Sequence, residues 1–210
     1  MTLDILILCL WNLSIAFSSK DILCIEFGNY RDTESLLRGK VFQSDRLCFV
    51  RSLDISFCPK LKRLSWEGFW DHCTALETLC LMNNHELELE DDEEEEEENN
   101  NNNRHGDEEE IRKEVTPWRF LSHPLRNLEL DDLPKLKKLP NGMRHLTSLQ
   151  SLEIRDCKNL KSMSEVMRHL TSLQQLSLIS NSAELNARCK EPSGADWPNI
   201  QHIELISLQF

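Results

Sequence analysis

The chain has 210 residues, which is enough for one elongated domain or two small ones. Its formal net charge of −12 lies almost entirely in residues 86–110, where fifteen acidic residues accompany one arginine, so the rest of the chain is close to neutral. Because no basic stripe with interleaved aromatic residues is evident, nucleic acid is not an expected partner.

Residues 1–21 form an apolar amino-terminal segment for which two interpretations stay open. Leu10-x-x-Leu13-x-Ile15 has the spacing of a degenerate leucine repeat. A secretory leader is the alternative, but Asp4, the lack of an early Lys or Arg and the lack of a clean cleavage site disfavour it. The apolar run is also too short and too interrupted to predict a membrane span, so no membrane partner is expected.

Residues 22–84 predict irregular leucine-rich repeats. The matching segments are Ile22-x-x-Ile25-x-Phe27, Val50-x-x-Leu53-x-Ile55 and Leu76-x-x-Leu79-x-Leu81. Residues two apart in a strand share one face, so the last two apolar positions of each segment point inward together. The aromatic-rich stretch 65–70 is predicted to pack on the convex side of a coil, and an exposed binding patch is the alternative.

Residues 85–114 form an acidic and Asn-rich insertion, with unbroken runs at Glu93–Glu98 and Asn99–Asn103. Such a segment buries too little apolar surface to offset its ordering entropy, and its charges repel one another. It therefore predicts a disordered loop extruded from the repeats, with no specific function. No loop geometry holds the carboxylates for calcium.

Residues 115–210 contain the most regular repeats and a carboxy-terminal cap that includes residues 196–203. Leu125–Leu130, Leu149–Ile154 and Leu173–Leu178 each read Leu-x-x-Leu-x-(Leu/Ile) and begin 24 residues apart. The segment Met143–Gln150 recurs unchanged as Met167–Gln174, and a short helical turn is predicted before each strand. A fixed period in this range is typical of leucine-rich repeats, and prolines between the segments disfavour an array of helices.

A bend position follows three residues after the last strand leucine and is occupied mainly by Asn or Cys. Its occupants are Cys58, Asn84, Leu133, Cys157 and Asn181. An Asn amide there can pair backbone groups that the bend leaves without partners, and a Cys thiol does so more weakly. The predicted fold is α/β: a leucine-rich-repeat solenoid with parallel strands on the concave face and short helical or irregular turns on the convex face.

Eight cysteines occur singly and no CxxC pair is present, which is typical of reduced, buried thiols in an intracellular protein. His72, Cys73 and Cys80 could contribute to a zinc site, but a fourth ligand has no clear candidate. No cofactor and no metal are therefore predicted.

The string Leu149-x-x-Leu152-x-Ile154-x-x-Cys157-x-x-Leu160, joined to His-Leu-Thr-Ser-Leu, resembles the repeat domain of plant nucleotide-binding leucine-rich-repeat (NLR) disease resistance proteins. The tail from Arg188 to Ile203 is similar to the end of many members. The resemblance implies a cytoplasmic immune recognition module that binds a pathogen effector, a guarded host protein or another NLR domain. No Gly-x-x-x-x-Gly-Lys-(Ser/Thr) loop is present, so nucleotide binding is not implied for this chain.

The predicted contact residues flank the strand leucines on the concave face. They are Arg126, Glu129, Asp131, Gln150, Glu153, Arg155, Gln174 and Ser177. A secreted or receptor-like repeat protein is the alternative function, and oxidised cysteines with a cleaved amino terminus would distinguish it. An enzyme is not predicted, because no paired carboxylates and no Ser/His/Asp arrangement have local support, and no small-molecule substrate is evident.

Overall fold

The part of the chain that the structure describes forms one open sheet of nine strands, in which the order along the chain is also the order in space. The computed structural model describes residues 5–8, 13–18, 21–28, 45–64, 69–89 and 117–209, with side chains from residue 47 onward. The strands are β1 (Ile5–Leu8), β2 (Leu13–Ser18), β3 (Asp21–Gly28), β4 (Ser52–Ser56), β5 (Thr78–Met82), β6 (Asn127–Asp131), β7 (Ser151–Arg155), β8 (Gln175–Ile179) and β9 (Leu205–Gln209). Every pairing from β3 to β9 is parallel, which confirms the predicted leucine-rich-repeat architecture.

The first two strands pair in the opposite sense. Strand β1 is antiparallel to β2, and β2 is antiparallel to β3, with Ile15 opposite Ile25. Leu13 and Ile15 of the predicted degenerate repeat therefore lie in a strand added to the edge of the sheet and not in the parallel ladder, whereas Leu10 lies outside the described residues. The ladder begins at β3, where Ile25 pairs with Leu53 and Phe27 with Ile55.

Alternation within each strand builds the core. In β6, Leu128 and Leu130 are buried while Glu129 between them is exposed. Register places these leucines beside the equivalent residues of β5 and β7, so each column of aliphatic side chains continues from coil to coil. Burying one such leucine contributes roughly 1.5–3 kcal/mol, and stacking multiplies this contribution along the sheet.

Where the bend position is asparagine, its side chain connects that coil to the preceding one. The Oδ1 atom of Asn84 accepts from the backbone N–H of Cys58 at 2.9 Å, and its Nδ2 donates to the carbonyl of Ile55 at 2.7 Å. Both backbone groups belong to the preceding coil and are buried. The predicted pairing of bend backbone by an Asn amide is therefore present.

Short helical turns lie on the side of the coils away from the sheet. They are the 3₁₀ helices Asp45–Phe49, Trp70–His72, Asn141–His145 and Glu165–His169. Phe69 and Trp70 are buried there, with ring centroids 5.0 Å apart in an edge-to-face arrangement, and the Trp70 indole donates to the carbonyl of Leu64 at 2.6 Å. Packing of the aromatic stretch is confirmed for these two residues, whereas residues 65–68 lie outside the described part.

The carboxy-terminal segment does more than cap the last predicted coil. After α1 (Ala183–Arg188), the buried Asp196 accepts from the backbone N–H of Met163 at 2.8 Å and pairs with Arg188. After α2 (Trp197–Ile200), the chain then adds β9 in parallel to β8. The prediction of a terminal cap therefore missed one further coil.

The start of the predicted insertion at residue 85 also needs correction. Residues 85–89 belong to the coil that follows β5, because Leu87 is buried in the core and Glu88 donates its backbone N–H to the carbonyl of Lys62 at 2.9 Å. The remainder of the predicted insertion, residues 90–114, lies outside the described residues, so its predicted disorder stays a prediction.

Candidate protein-interaction face

The first, third and fifth residues of β4 to β8 form a surface on the side of the sheet away from the core. We call it the outer face; it is the side of the sheet for which the sequence predicted the concave contact surface. These positions alternate with the buried leucines, and all of them except the buried third residues of β5 and β8 are at least partly exposed, so they are available for contact with another molecule. The parallel register aligns equivalent positions in columns that run across the strands. Neighbouring residues within one column lie about 4.8 Å apart.

The third residues of the strands form a column rich in carboxylates. From β4 to β8 they are Asp54, Cys80, Glu129, Glu153 and Ser177. The Cys80 thiol donates to Oε2 of Glu129 at 3.6 Å. Burial, followed by the nearby negative charges of Asp54 and Glu129, raises the pKa of Cys80. The thiol therefore stays protonated and acts as a donor between carboxylates rather than as a nucleophile.

Arg155 joins two columns of the outer face. Its Nη2 pairs with Oε1 of Glu153, and its Nε lies 3.8 Å from Oδ2 of Asp131 on the neighbouring strand. The hydrogen bond to Glu153 raises the pKa of Arg155. Burial raises the pKa of Asp131, and the charge of Arg155 opposes that rise. The pairs are partly exposed to solvent, so they define the arrangement of charges more than they contribute to stability.

The structure places the eight predicted contact residues on three consecutive coils. Glu129, Glu153 and Ser177 share the third column, and Asp131 and Arg155 are partners in the fifth. The other three residues, Arg126, Gln150 and Gln174, directly precede the strands, and backbone hydrogen bonds of 2.8 and 2.9 Å link them in series. Ser177 is only 6% exposed and offers little surface.

One exposed aromatic residue borders the outer face where β4 ends and was not among the predicted contact residues; we count it with that face. Phe57, which follows β4, is 54% exposed and donates its backbone N–H to the carbonyl of Met82 at 3.0 Å. Its φ angle is 53°, a left-handed conformation that is strained for a bulky side chain. The equivalent positions of the next coils have similar φ angles but carry short polar residues: Asn83, Asp132, Asp156 and Ser180. A phenylalanine at a position where the other repeats carry Asn, Asp or Ser can be seen in the sequence alone, and it identifies Phe57 as unusual.

The described cysteines are free thiols, and they do not gather into a site. Cys73 is buried in the core, where its thiol donates to the carbonyl of Phe69 at 3.4 Å, while Cys80 lies on the outer face. Within the described ranges, no group of three or more His, Cys, Asp or Glu side chains has a metal-binding arrangement. None of the helices described is long and apolar enough to cross a membrane.

A comparison with protein families identifies the repeats. The family model for the leucine-rich repeats of plant disease resistance protein RPS2-like matches residues 29–182, which is more than two thirds of the chain. The match includes all of β4 to β8 and therefore the whole outer face. No protein with a curated description matches the chain. The chain belongs to the family of RPS2-like leucine-rich repeats of plant disease resistance proteins.

Proposed function

We propose that this chain is a protein-recognition module in plant defence that works in the cytoplasm and binds its partner through the outer face. The partner is a pathogen effector, a host protein under surveillance or another domain of a resistance receptor. Family membership supports the defence role, and the exposed, strained Phe57 beside Met82 is the observation that carries the choice of face.

Phe57 has the features of a binding anchor. Holding a bulky residue in a left-handed conformation costs about 1–2 kcal/mol, and leaving its ring half exposed recovers little hydrophobic free energy. Strain of this kind is concentrated at functional positions, and aromatic side chains dominate the binding energy of protein interfaces. An apolar side chain of a partner that covers Phe57 and Met82 would offset this cost.

The charged columns define the chemistry of the rest of the partner surface. Glu129, Glu153 and Asp131 supply carboxylates on adjacent strands, with Arg155 as the neighbouring cation. A matching partner therefore presents Lys or Arg side chains opposite the carboxylates and an acidic group opposite Arg155. Such complementarity increases the association rate and fixes the orientation of the complex.

The test compares two variants of the outer face with a variant altered elsewhere. The first is Phe57→Asn, and the second reverses two charges, Glu153→Lys with Arg155→Glu. The control, Glu165→Lys with Lys190→Glu, makes the same kind of charge exchange at exposed positions outside the sheet. Partners captured from leaf extract by the native chain are identified, produced separately and titrated calorimetrically.

We expect each outer-face variant to bind the identified partner at least about tenfold more weakly, whereas the control keeps the native affinity. Circular dichroism and thermal melting establish that all variants are folded. Native affinity in both outer-face variants would assign recognition to another surface and contradict the proposal.

A further inference from the structure

Lysines from separate coils form a second surface, at the edge of the solenoid beyond the bend. Their positions lie two and four residues after the bend residue, on either side of a buried leucine such as Leu61 or Leu136. We call this surface the lysine edge and define it by Lys60, Lys62, Lys135, Lys137 and Lys161. The coil after β5 interrupts the series, because it carries Glu86 and Glu88 at the equivalent positions.

Two carboxylates of the chain already lie on this edge. The Nζ atom of Lys135 is 3.0 Å from Oε2 of Glu86 and 3.0 Å from Oε1 of Glu88. The hydrogen bond from Lys135 lowers the pKa of Glu88, and the charges of Arg63 and Lys137 lower it further. Glu88 therefore sits among cations from the coils on both sides. Carboxylates at alternate residues fit the spacing of the lysine edge.

The sequence that follows Glu88 is also rich in carboxylates. Leu89 is followed by an uninterrupted run of nine acidic residues, 90–98. Nine residues span up to about 30 Å, whereas the strands β4 and β7 lie only about 15 Å apart across three strand spacings. The run is thus long enough to reach every lysine of the edge. Because it is tethered to the same coil, its effective concentration at the edge is on the order of millimolar.

We propose that the lysine edge is a docking surface for the acidic run 90–98 of the same chain. The contacts of Glu86 and Glu88 with Lys135 are the beginning of this interaction, and the run extends it by charge complementarity. The docked run competes with acidic segments of other proteins for the edge. This surface is separate from the outer face, and the inference does not depend on the proposed recognition function.

The test uses a fluorescent peptide with the sequence of residues 86–98, followed by anisotropy at about 20 mM salt, where screening is weak. It compares the native chain with a neutral-run variant, in which the acidic residues 90–98 are replaced by Gln or Asn without a change of length. Two further chains add to the neutral run either Lys135→Gln with Lys137→Gln, or the control pair Arg126→Gln with Lys190→Gln. Both additions remove two positive charges, but only the first removes them from the lysine edge.

We expect the neutral-run variant to bind the peptide roughly tenfold more tightly than the native chain does, because its edge lacks the tethered competitor. The gain should disappear with Lys135→Gln and Lys137→Gln and persist with the control pair. Equal affinity of the native and neutral-run chains, or an equal loss in the two charge-deleted chains, would overturn the proposal. A uridine oligonucleotide that binds the native chain as tightly as the peptide binds the neutral-run variant would also overturn it, by assigning the edge to nucleic acid.

Discussion

Asn181 pairs the backbone of a coil to which it does not belong. Its Oδ1 accepts from the N–H of Cys157 at 3.0 Å, and its Nδ2 donates to the carbonyl of Ile154 at 2.7 Å. Asn84 makes the same two hydrogen bonds to the coil before it. Because these backbone groups are buried, each of the two bends depends on the following coil for its hydrogen-bond partners.

Replacing Asn181 with Ala should cost about 3 kcal/mol of unfolding free energy, because it leaves a buried donor and a buried acceptor without partners. The matched control is Asn159→Ala, which also loses an amide hydrogen bond to a neighbouring coil but from an exposed side chain. We expect the control to lose less than about 1 kcal/mol. Urea denaturation measures both, and similar losses would refute a special role for the bend amide.

At the bend position of Cys157, an Asn side chain should form stronger hydrogen bonds to the preceding coil than the thiol does. Its thiol lies 3.7 Å from the carbonyl of Leu130 and forms a hydrogen bond with the backbone of Leu133. These two backbone groups are equivalent to the ones that Asn181 pairs in the next coil. Burial raises the pKa of Cys157 to about 12, so the thiol is protonated and only a weak donor. Replacing Cys157 with Asn is therefore expected to stabilise the fold by about 1 kcal/mol.

The control for that substitution is Cys73→Asn. Cys73 is equally buried, but it lies outside the bend positions, so the new amide would lack the second partner that a bend offers. We expect a loss of about 2 kcal/mol in chemical denaturation. Destabilisation of both variants would contradict the prediction, because it would show that the size of the side chain at the bend matters more than its hydrogen bonds.

Phe57→Asn should stabilise the isolated chain by about 1 kcal/mol, since Asn adopts the left-handed conformation at lower cost. Phe120→Asn provides the comparison, because Phe120 is also exposed but its backbone has no positive φ angle. We expect no gain from that substitution in thermal or urea unfolding. A stabilised Phe57→Asn chain that binds its partner weakly would demonstrate a trade of stability for recognition.

Arg155→Gln should raise the pKa of Asp131 further, because the charge of Arg155 opposes the rise that burial causes. Carbon-detected NMR titration of the Asp131 carboxyl measures this shift, with Arg126→Gln as the control. The folded-state pKa lies above its unfolded value, so the protein gains stability as pH falls through that pKa. The gain should begin at higher pH in the Arg155→Gln variant, and an unmoved titration would contradict the assigned pairing.

The sequence was sufficient for the ladder because its signals are local and periodic. The 24-residue spacing of Leu125, Leu149 and Leu173 set the register of β6 to β8, and the alternation of leucine with polar residues set the outer face. The last coil was missed because two short helices lengthen it. Ile203 follows Leu173 by more than one period, although Ile203-x-x-Ile206-x-Leu208 fits the template.

The lysine edge can be recognised in the sequence only after the repeats are aligned on their bend positions. Lys62, Lys137 and Lys161 are far apart in sequence, and only stacking of the coils places them on one surface. The rest of the chain is close to neutral in total, so its net charge does not indicate that several of its lysines share one surface. The contact of Cys80 with Glu129 is similarly invisible, because 49 residues separate the two.

The register between β5 and β6 shows where the length of this protein can vary. Thr78 and Asn127 are backbone partners across 49 residues, whereas equivalent neighbours such as Cys157 and Asn181 are 24 apart. Doubling a connection adds only about 0.6 kcal/mol of closure entropy, but one extra residue inside a strand would turn its leucines to the opposite side. This junction is therefore the natural place to graft a reporter or an epitope tag without disturbing the stacked coils.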